Sequence, residues 1–296
     1  MKTLQPGDKI VIISTARKVS FSEMEPAIAI LKSWGLEVVL GQTIGAEFHQ
    51  FAGPDALRLA DLQQMLDDPE IKAILCARGG YGTARLLDAV DFTKFRQNPK
   101  WLIGFSDVTA LHAHLYALGF ESLHAIMPIL FAREGSQEAI ESLRRILFGE
   151  PISYTAELHL FNRQGEGEGE LVGGNLSILH TIIGTRSDFD YTGKILFLED
   201  LDEYLYHVDR MLVHLDRCGK LQNLAGLIIG QMSDMKDNLI PFGQTAYEII
   251  QHHTAHYQYP VCFGFPVGHE PHNLALICGR KAKLEVTEKG SFLSYL

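Results

Sequence analysis

The segment "WLIGFSDVTALHAHL" (residues 101–115) changes from strand to helix over a short stretch of chain. Its apolar start is typical of a buried strand, Gly104 interrupts the run, and the remainder continues as a helix. One hydroxyl side chain, that of Ser106, lies at the corner. A serine there is either an N-cap, whose oxygen accepts from orphan backbone N–H groups, or the nucleophile of a tight strand-to-helix turn.

Strand and helix signals alternate on both sides of this segment, through the first half of the chain. Ser20 and Glu23 have the spacing of a capping box, and Gly35 is a stop signal for the helix that they begin. Strands connected through helices imply right-handed crossovers and a mostly parallel sheet flanked by helices. The predicted strands are 9–14, 36–41 and 71–77, and the further helices are 54–68, 82–90 and 136–149.

The second half repeats this pattern after a segment of different composition. The stretch "QGEGEGE", within residues 151–170, is too polar to bury a core surface and predicts a linker. The fold prediction is therefore an α/β protein of two lobes, an N-terminal domain over 1–150 and a smaller domain over 171–296. Alternating residues around Lys289-Gly290 predict a terminal β-hairpin. Strands are expected at 194–200, 224–231 and 261–265, and helices near 202–218 and 242–256.

The bulk composition excludes several classes of partner. Of the 296 residues, 46% are hydrophobic and 21% are charged, as in a globular protein. The formal net charge is -10, and no basic cluster offers a surface for nucleic acid or for an anionic membrane. The N-terminus has no signal-peptide pattern, and no apolar run reaches membrane-spanning length. Four cysteines without a paired spacing indicate reduced thiols and a cytoplasmic location.

Two loops that follow predicted strands carry candidate chemistry. In "ARGGYGTARLL" (77–87), three closely spaced glycines allow backbone N–H groups to approach an anion. The spacing departs from the G-x-G-x-x-G dinucleotide fingerprint, which leaves another anion-holding turn or a purely structural turn. His269, in the proline-bounded loop "FPVGHEPHN" (265–273), is either a general base or a solvated loop residue.

Acidic, metal-binding and thiol groups add further alternatives. The segment "LFLEDLDEYLYHVDRML" (196–212) carries four acids at a strand-to-helix junction, of which Glu199 ends the strand and can face a cleft. The acids of the first helical turn are explained by the helix dipole. His252 and His256 have the spacing of a zinc pair, but the glutamate of an HExxH motif is missing. Cys76 is either a thiol nucleophile or a small buried residue.

Five segments occur in an order that makes the chain similar to the LD-carboxypeptidase family. They are "ARGGYGTARLL", "GFSDVTAL", "ELVGGNLSIL", "LFLEDLDEYLYHVDRML" and "FPVGHEPHN", and they extend over nearly the whole chain. The family comprises serine peptidases, including cytoplasmic muramoyltetrapeptide carboxypeptidases and microcin C immunity peptidases. The resemblance implies cleavage of murein tetrapeptides between the L-centre of meso-diaminopimelate and the terminal D-alanine. It also implies a homodimer, and we expect no metal and no cofactor.

The resemblance assigns catalytic roles to individual residues. The nucleophile, the acid and the base of a Ser–Glu–His triad fall on Ser106, Glu199 and His269. The donors of the oxyanion hole fall on the backbone N–H groups of Gly80 and Asp107. The implied reaction is acyl transfer, in which His269 accepts the serine proton and Glu199 holds the imidazole.

Substrate contacts are expected in both lobes. A terminal carboxylate requires a cation or a nest of N–H groups, and Arg78 is a candidate cation. The chain departs from the family after the first strand, where "STAR" (14–17) stands in place of the Pro-Ser pair of many members. A microcin C-type immunity peptidase acting on aminoacyl-nucleotide analogues and a non-catalytic two-lobed binding protein are the alternatives. The other candidate contact residues are Gly79, Tyr81, Gly174 and Asn175.

Overall fold

The computed structural model describes residues 1–296 and contains thirteen strands and eight α-helices. The strands are β1 (Lys9–Ile13), β2 (Glu37–Leu40), β3 (Ile71–Cys76), β4 (Trp101–Gly104), β5 (Ser122–His124), β6 (Ser153–Ala156), β7 (Gly165–Asn175), β8 (Ile195–Leu201), β9 (Gly226–Ser233), β10 (Val261–Phe263), β11 (Leu276–Cys278), β12 (Lys281–Thr287) and β13 (Gly290–Tyr295). The helices are α1 (Phe21–Ser33), α2 (Asp55–Asp67), α3 (Thr93–Gln97), α4 (Thr109–Ala117), α5 (Gln137–Leu147), α6 (Leu176–Ile182), α7 (Leu205–Arg217) and α8 (Ala246–Thr254).

The chain divides into two units, and a short segment near its C-terminus belongs to the first unit. Unit 1 consists of Met1–Pro151 and Pro271–Ile277, and unit 2 of Ile152–Glu270 and Cys278–Leu296. Unit 1 contains a six-stranded sheet in the order β11-β5-β4-β3-β1-β2. Its pairings from β5 to β2 are parallel, as the alternation of strands and helices predicts. Strand β1, which has a neighbour on each side, is apolar and almost fully buried after Lys9, as expected for a sheet covered on both faces.

Helix α1 begins and ends where its sequence signals predict. The Ser20 hydroxyl accepts from the Glu23 N–H, and the Glu23 carboxylate accepts from the Ser20 N–H at 2.7 Å, which completes the capping box. After the C-cap, Gly35 has φ 83°, a conformation that glycine adopts at little cost. The start of α1 forms one wall of a pocket that also contains Arg78.

The helix predicted over residues 82–90 is wrong. The structure has two short 3₁₀ turns there, Thr83–Arg85 and Leu87–Ala89. The Thr83 backbone N–H donates to the Asp107 carboxylate at 2.9 Å, and Gly82 precedes it with φ 147°. A side chain 24 residues away in sequence therefore directs this turn, and such a tertiary bond overrides local helix propensity.

Unit 2 contains a seven-stranded mixed sheet in the order β10-β9-β8-β7-β12-β13-β6. The pairings from β10 to β7 are parallel, whereas those from β7 to β6 are antiparallel. Strands β12 and β13 form the predicted terminal hairpin, in which Thr287 pairs with Gly290. The parallel part places the end of β8, with Glu199, beside the end of β7.

The linker predicted over residues 151–170 is also wrong, because this segment supplies strand β6 and most of β7 to the sheet of unit 2. The alternation of glycine and glutamate in β7 matches the two-residue period of a strand. Its glycines lie where backbone approaches closely. A Cβ on Gly167 would lie 1.9 Å from the carbonyl oxygen of Ala225, and one on Gly169 would lie 2.3 Å from that of Gly193. Close packing of backbone on backbone at these glycines lets the first half of β7 join the sheet without burial of large side chains.

Two further observations concern the whole chain. No α-helix of the structure combines the length and the hydropathy that a bilayer crossing requires. None of the four cysteines forms a disulfide, and three of them are buried.

Candidate active site

Ser106 lies at a strained corner between β4 and α4. Phe105 is extended, with φ -151° and ψ -171°, and Ser106 then turns into the left-handed region with φ 60°. A single 3₁₀ turn, Ser106–Val108, leads into the helix. A non-glycine residue in this region costs about 1–2 kcal/mol, and such strain is concentrated at functional sites.

The Ser106 hydroxyl does not cap the following helix. Neither the 3₁₀ turn nor α4 receives a hydrogen bond from a capping side chain, and the Ser106 side chain makes no hydrogen bond in the structure. The side chain is half-buried. The N-cap interpretation is therefore wrong, and the geometry is that of a nucleophile elbow.

The glycine-rich turn after β3 lies against Ser106. A Cβ on Gly79 would lie 3.2 Å from the Ser106 Cβ and 3.4 Å from its Oγ, so Gly79 lies next to the serine and leaves little room for a side chain. Gly80 is exposed and has φ 106°, which side chains rarely tolerate. The Asp107 carboxylate, which follows the serine, binds Thr83 at the end of the same turn. The family resemblance assigned both segments to one site, and unit 1 brings them together.

The other two candidates on this turn, Tyr81 and Arg78, lie near other parts of unit 1. Tyr81 is half exposed, and its ring lies 6.4 Å from that of Phe51. Arg78 lines a pocket of about 380 Å³ beside the start of α1, together with Lys18 and Glu23.

The Asp107 side chain is buried, and burial raises its pKa above the ordinary value of 3.8.

Glu199 and His269 form a buried pair in unit 2. Glu199 lies near the end of β8, has no solvent exposure, and accepts from His269 Nδ1 at 2.7 Å. The pair joins residues 70 positions apart, and His269 lies in the predicted loop after β10. A carboxylate bound to Nδ1 fixes the tautomer in which Nε2 accepts protons.

The charges around His269 set its protonation. Burial by itself lowers the pKa of His269, but Glu199, through its charge and its hydrogen bond, raises it. The charges of Asp200 and Glu270 act in the same direction, and the net pKa lies above 6.5. Asp200 is itself buried, and that burial together with the Glu199 charge raises its pKa to about 7.

At the end of β7 the asparagine has structural partners and the glycine before it is buried. Asn175 caps α6 by accepting from the Ile178 N–H, and its side-chain amide donates to Asp200 at 2.8 Å. The Ser177 N–H donates to the second oxygen of Asp200 at 2.9 Å. Gly174 is buried, with φ 140°. Asn175 therefore links the end of β7 to Asp200 and α6 beside Glu199, and the part of Asp200 in this network was not predicted from the sequence.

The structure does not provide the geometry for a zinc site or for a thiol nucleophile. Helix α8 ends at Thr254, so His252 and His256 do not share a helical face. No group of three or more His, Cys, Asp or Glu side chains is arranged as a metal site. Cys76 is fully buried, and burial raises the pKa of its thiol to about 12, so that it remains protonated.

Comparisons with known proteins agree over nearly the whole chain. The protein-family model described as the LD-carboxypeptidase N-terminal domain matches residues 10–125, and the family model of the C-terminal domain matches residues 168–284. A probable murein peptide carboxypeptidase of Bacillus subtilis (strain 168) is 35% identical over 97% of this chain and 92% of its own length.

Solved structures share the fold. Muramoyltetrapeptide carboxypeptidase from Oxalobacter formigenes has a TM-score of 0.88 and 29% identity, covering 97% of this chain and 98% of that one. MccF in complex with glutamyl sulfamoyl guanosine has a TM-score of 0.87 at 23% identity, over 99% of this chain and 97% of that one. The second likeness shows the fold alone.

Proposed function

The chain belongs to the LD-carboxypeptidase family of serine peptidases, as its five motifs predicted, and from this premise we propose that it releases the terminal D-alanine of murein tetrapeptides. The bond cleaved is the amide between the L-centre of meso-diaminopimelate and D-alanine. The observation that carries the proposal is the strained conformation of Ser106, whose hydroxyl neither caps a helix nor binds another group. Strain without a structural use is typical of a nucleophile.

The proposed mechanism is acyl transfer through Ser106. His269 accepts the hydroxyl proton as the oxygen attacks the scissile carbonyl, and Glu199 stabilises the resulting imidazolium. His269 then protonates the leaving D-alanine amine, and a water molecule activated by the same imidazole hydrolyses the acyl-enzyme. The buried bond between Glu199 and His269 supports these roles.

The proposed oxyanion hole consists of the Gly80 and Asp107 backbone N–H groups. Neither group donates a hydrogen bond to a backbone oxygen elsewhere in the chain. Asp107 is the second residue of the turn into α4, where the first N–H groups of a helix lack internal partners. Each donor aimed at the developing oxyanion contributes about 3–4 kcal/mol in comparable hydrolases.

We assign the remaining candidate residues to substrate binding. Arg78 supplies a cation to a carboxylate of the peptide, and Gly79 and Tyr81 border the same turn. Gly174 and Asn175 have an indirect part in substrate binding, in which they position the end of β7. The part is indirect because the Asn175 side chain already binds Asp200 and the start of α6. A tetrapeptide with diaminopimelate carries several carboxylates, so more than one cation is of use.

Incubation with defined stem peptides tests the proposal. We expect the purified protein to remove one D-alanine from a tetrapeptide and to leave the tripeptide product uncut, as scored by mass spectrometry. Peptides with lysine or diaminopimelate at the third position measure the preference there. A glutamyl sulfamoyl nucleoside, the class of molecule bound by MccF, is the comparison substrate. Cleavage of that compound with no D-alanine release would favour the immunity-peptidase alternative, and binding without turnover would favour a binding protein.

The rate is expected to fall as the pH decreases through the pKa of His269, because the protonated imidazole cannot accept the serine proton. Since that pKa is raised above 6.5, kcat/KM is expected to reach half its maximum at a pH above 6.5. The measurement is kcat/KM for D-alanine release across neutral pH. A half-maximal rate at a pH below 6.5 contradicts His269 as the base that Glu199 holds.

The proposal also includes a cytoplasmic location and a homodimer. The location follows from the absence of disulfides among four cysteines, since such thiols are typical of reducing compartments. The homodimer follows from the family resemblance. Cell fractionation and the mass of the purified protein in light scattering test the two statements, and a particle of 33.1 kDa would contradict the second.

A further inference from the structure

Arg17 lies across the glycine turn next to Ser106. A Cβ on Gly80 would lie 2.4 Å from the Cδ of Arg17 and 3.3 Å from its Nε, so the arginine side chain covers the bare Cα of Gly80. The Arg17 backbone N–H also donates to the Gly79 carbonyl at 3.4 Å. Gly79 in turn lies next to Ser106. The Arg17 side chain thus lies against the turn whose backbone N–H is assigned to the oxyanion hole.

The charge of Arg17 has no partner within the protein. Its side chain is exposed and forms no hydrogen bond and no ion pair. Neighbouring guanidinium groups differ, since both Arg58 and Arg85 bind the Asp55 carboxylate. An arginine that packs on a glycine at a reacting centre, with its donors uncommitted, offers a planar fork for a carboxylate.

A carboxypeptidase substrate places a carboxylate close to the bond that is cleaved. In the terminal residue, the carboxylate carbon is separated from the scissile nitrogen by the α-carbon alone. A group that holds this carboxylate must therefore lie beside the oxyanion hole. Resting on the proposed function, we propose that Arg17 binds the terminal carboxylate of the peptide and thereby restricts cleavage to the last residue.

Arg78 is less suited to this task than Arg17. Its side chain lines the pocket at the start of α1, where Glu23 and Glu47 supply negative charge and Lys18 is bound to Glu47. An anion entering there meets two carboxylates. Arg17 has no acid bound to it, and it contacts the very residue whose N–H is assigned to the oxyanion.

The test compares a tetrapeptide acid with the same peptide carrying a terminal amide. For R17M, kcat/KM for the acid is expected to fall about 10- to 100-fold, the effect of losing a charge-assisted hydrogen bond. The value for the amide is expected to stay within about twofold. R17K retains the charge without the fork and is expected to recover part of the preference. K32M, which removes an exposed charge in the last turn of α1, is the matched control and is expected to match the wild type.

A binding measurement separates this inference from the proposed function. Calorimetry with the acid and the amide is carried out on S106A and on the double variant S106A/R17M, so that no turnover is needed. We expect S106A to prefer the acid and the double variant to lose that preference. Equal binding of the two peptides to S106A overturns the role of Arg17, as does an equal loss of both activities in R17M. Failure of the wild type to release D-alanine overturns the proposed function alone.

Discussion

The variant S106A is expected to release D-alanine at least about 10⁴-fold more slowly than the wild type, while retaining its fold. Removal of the nucleophile of a serine triad leaves only the catalysis supplied by binding and by the oxyanion hole. The Ser106 hydroxyl makes no hydrogen bond in the structure, so its loss leaves no buried group without a partner. The measurement is single-turnover D-alanine release by mass spectrometry, with the thermal midpoint of unfolding recorded alongside.

A second substitution at this position separates catalysis from strain. S106G is expected to be as inactive as S106A. Its free energy of unfolding is expected to exceed that of S106A by up to about 1 kcal/mol, because glycine accepts φ 60° without the clash of a Cβ. S33A, which removes a hydroxyl bound to the Ile30 carbonyl at the end of α1, is the matched control and should keep full activity. Turnover by S106A within tenfold of the wild type would refute the assignment of the nucleophile.

The variant E199Q is expected to lower kcat by about 10⁴-fold, the loss seen when a triad carboxylate is replaced by its amide. Glutamine keeps the size of the side chain but removes the charge that stabilises the His269 imidazolium. Burial is the largest influence on the pKa of His269 and lowers it, whereas the Glu199 charge raises it. With that charge removed, we expect the pKa of His269 to fall below 6.5.

An NMR titration of the His269 ring gives a readout that loss of folding does not mimic. The wild-type ring should titrate above pH 6.5 and the E199Q ring below it. E203Q serves as the control, since Glu203 lies on the same segment but binds His207 at 2.9 Å. A kcat for E199Q close to that of E203Q would show that Glu199 does not hold the catalytic imidazole.

Features encoded by neighbouring residues were predictable. The capping box of α1 depends on Ser20 and Glu23, three positions apart, and the terminal hairpin depends on alternation around Lys289-Gly290. The parallel sheet of unit 1 follows from strands that alternate with helices. In the first two cases the interacting groups lie close together in the sequence, and in the third the alternation of strands and helices itself implies the sheet, so pattern and spacing carry the information.

Features decided by residues far away in the sequence were not predictable. The polar segment before residue 170 joins the sheet because its glycines let Ala225 and Gly193 approach, and nothing nearby in sequence announces those neighbours. Residues 82–90 fail to form a helix because Asp107 captures the Thr83 N–H. Arg17 shows the same limit. Its sequence signal was only a departure from a family pattern, and its position on Gly80 came from the structure.

The four acids of the segment 199–203 show most directly where sequence stops and structure begins. By itself the sequence determined that acids lie at the junction of a strand and a helix, and resemblance selected Glu199. The fold gives each acid a different environment: Glu199 binds His269, Asp200 binds Asn175, Asp202 pairs with Lys236, and Glu203 binds His207. The two-residue period of a strand decides on which face of the sheet each carboxylate lies. Only the path of the chain between two residues 70 positions apart decides which carboxylate is buried against an imidazole.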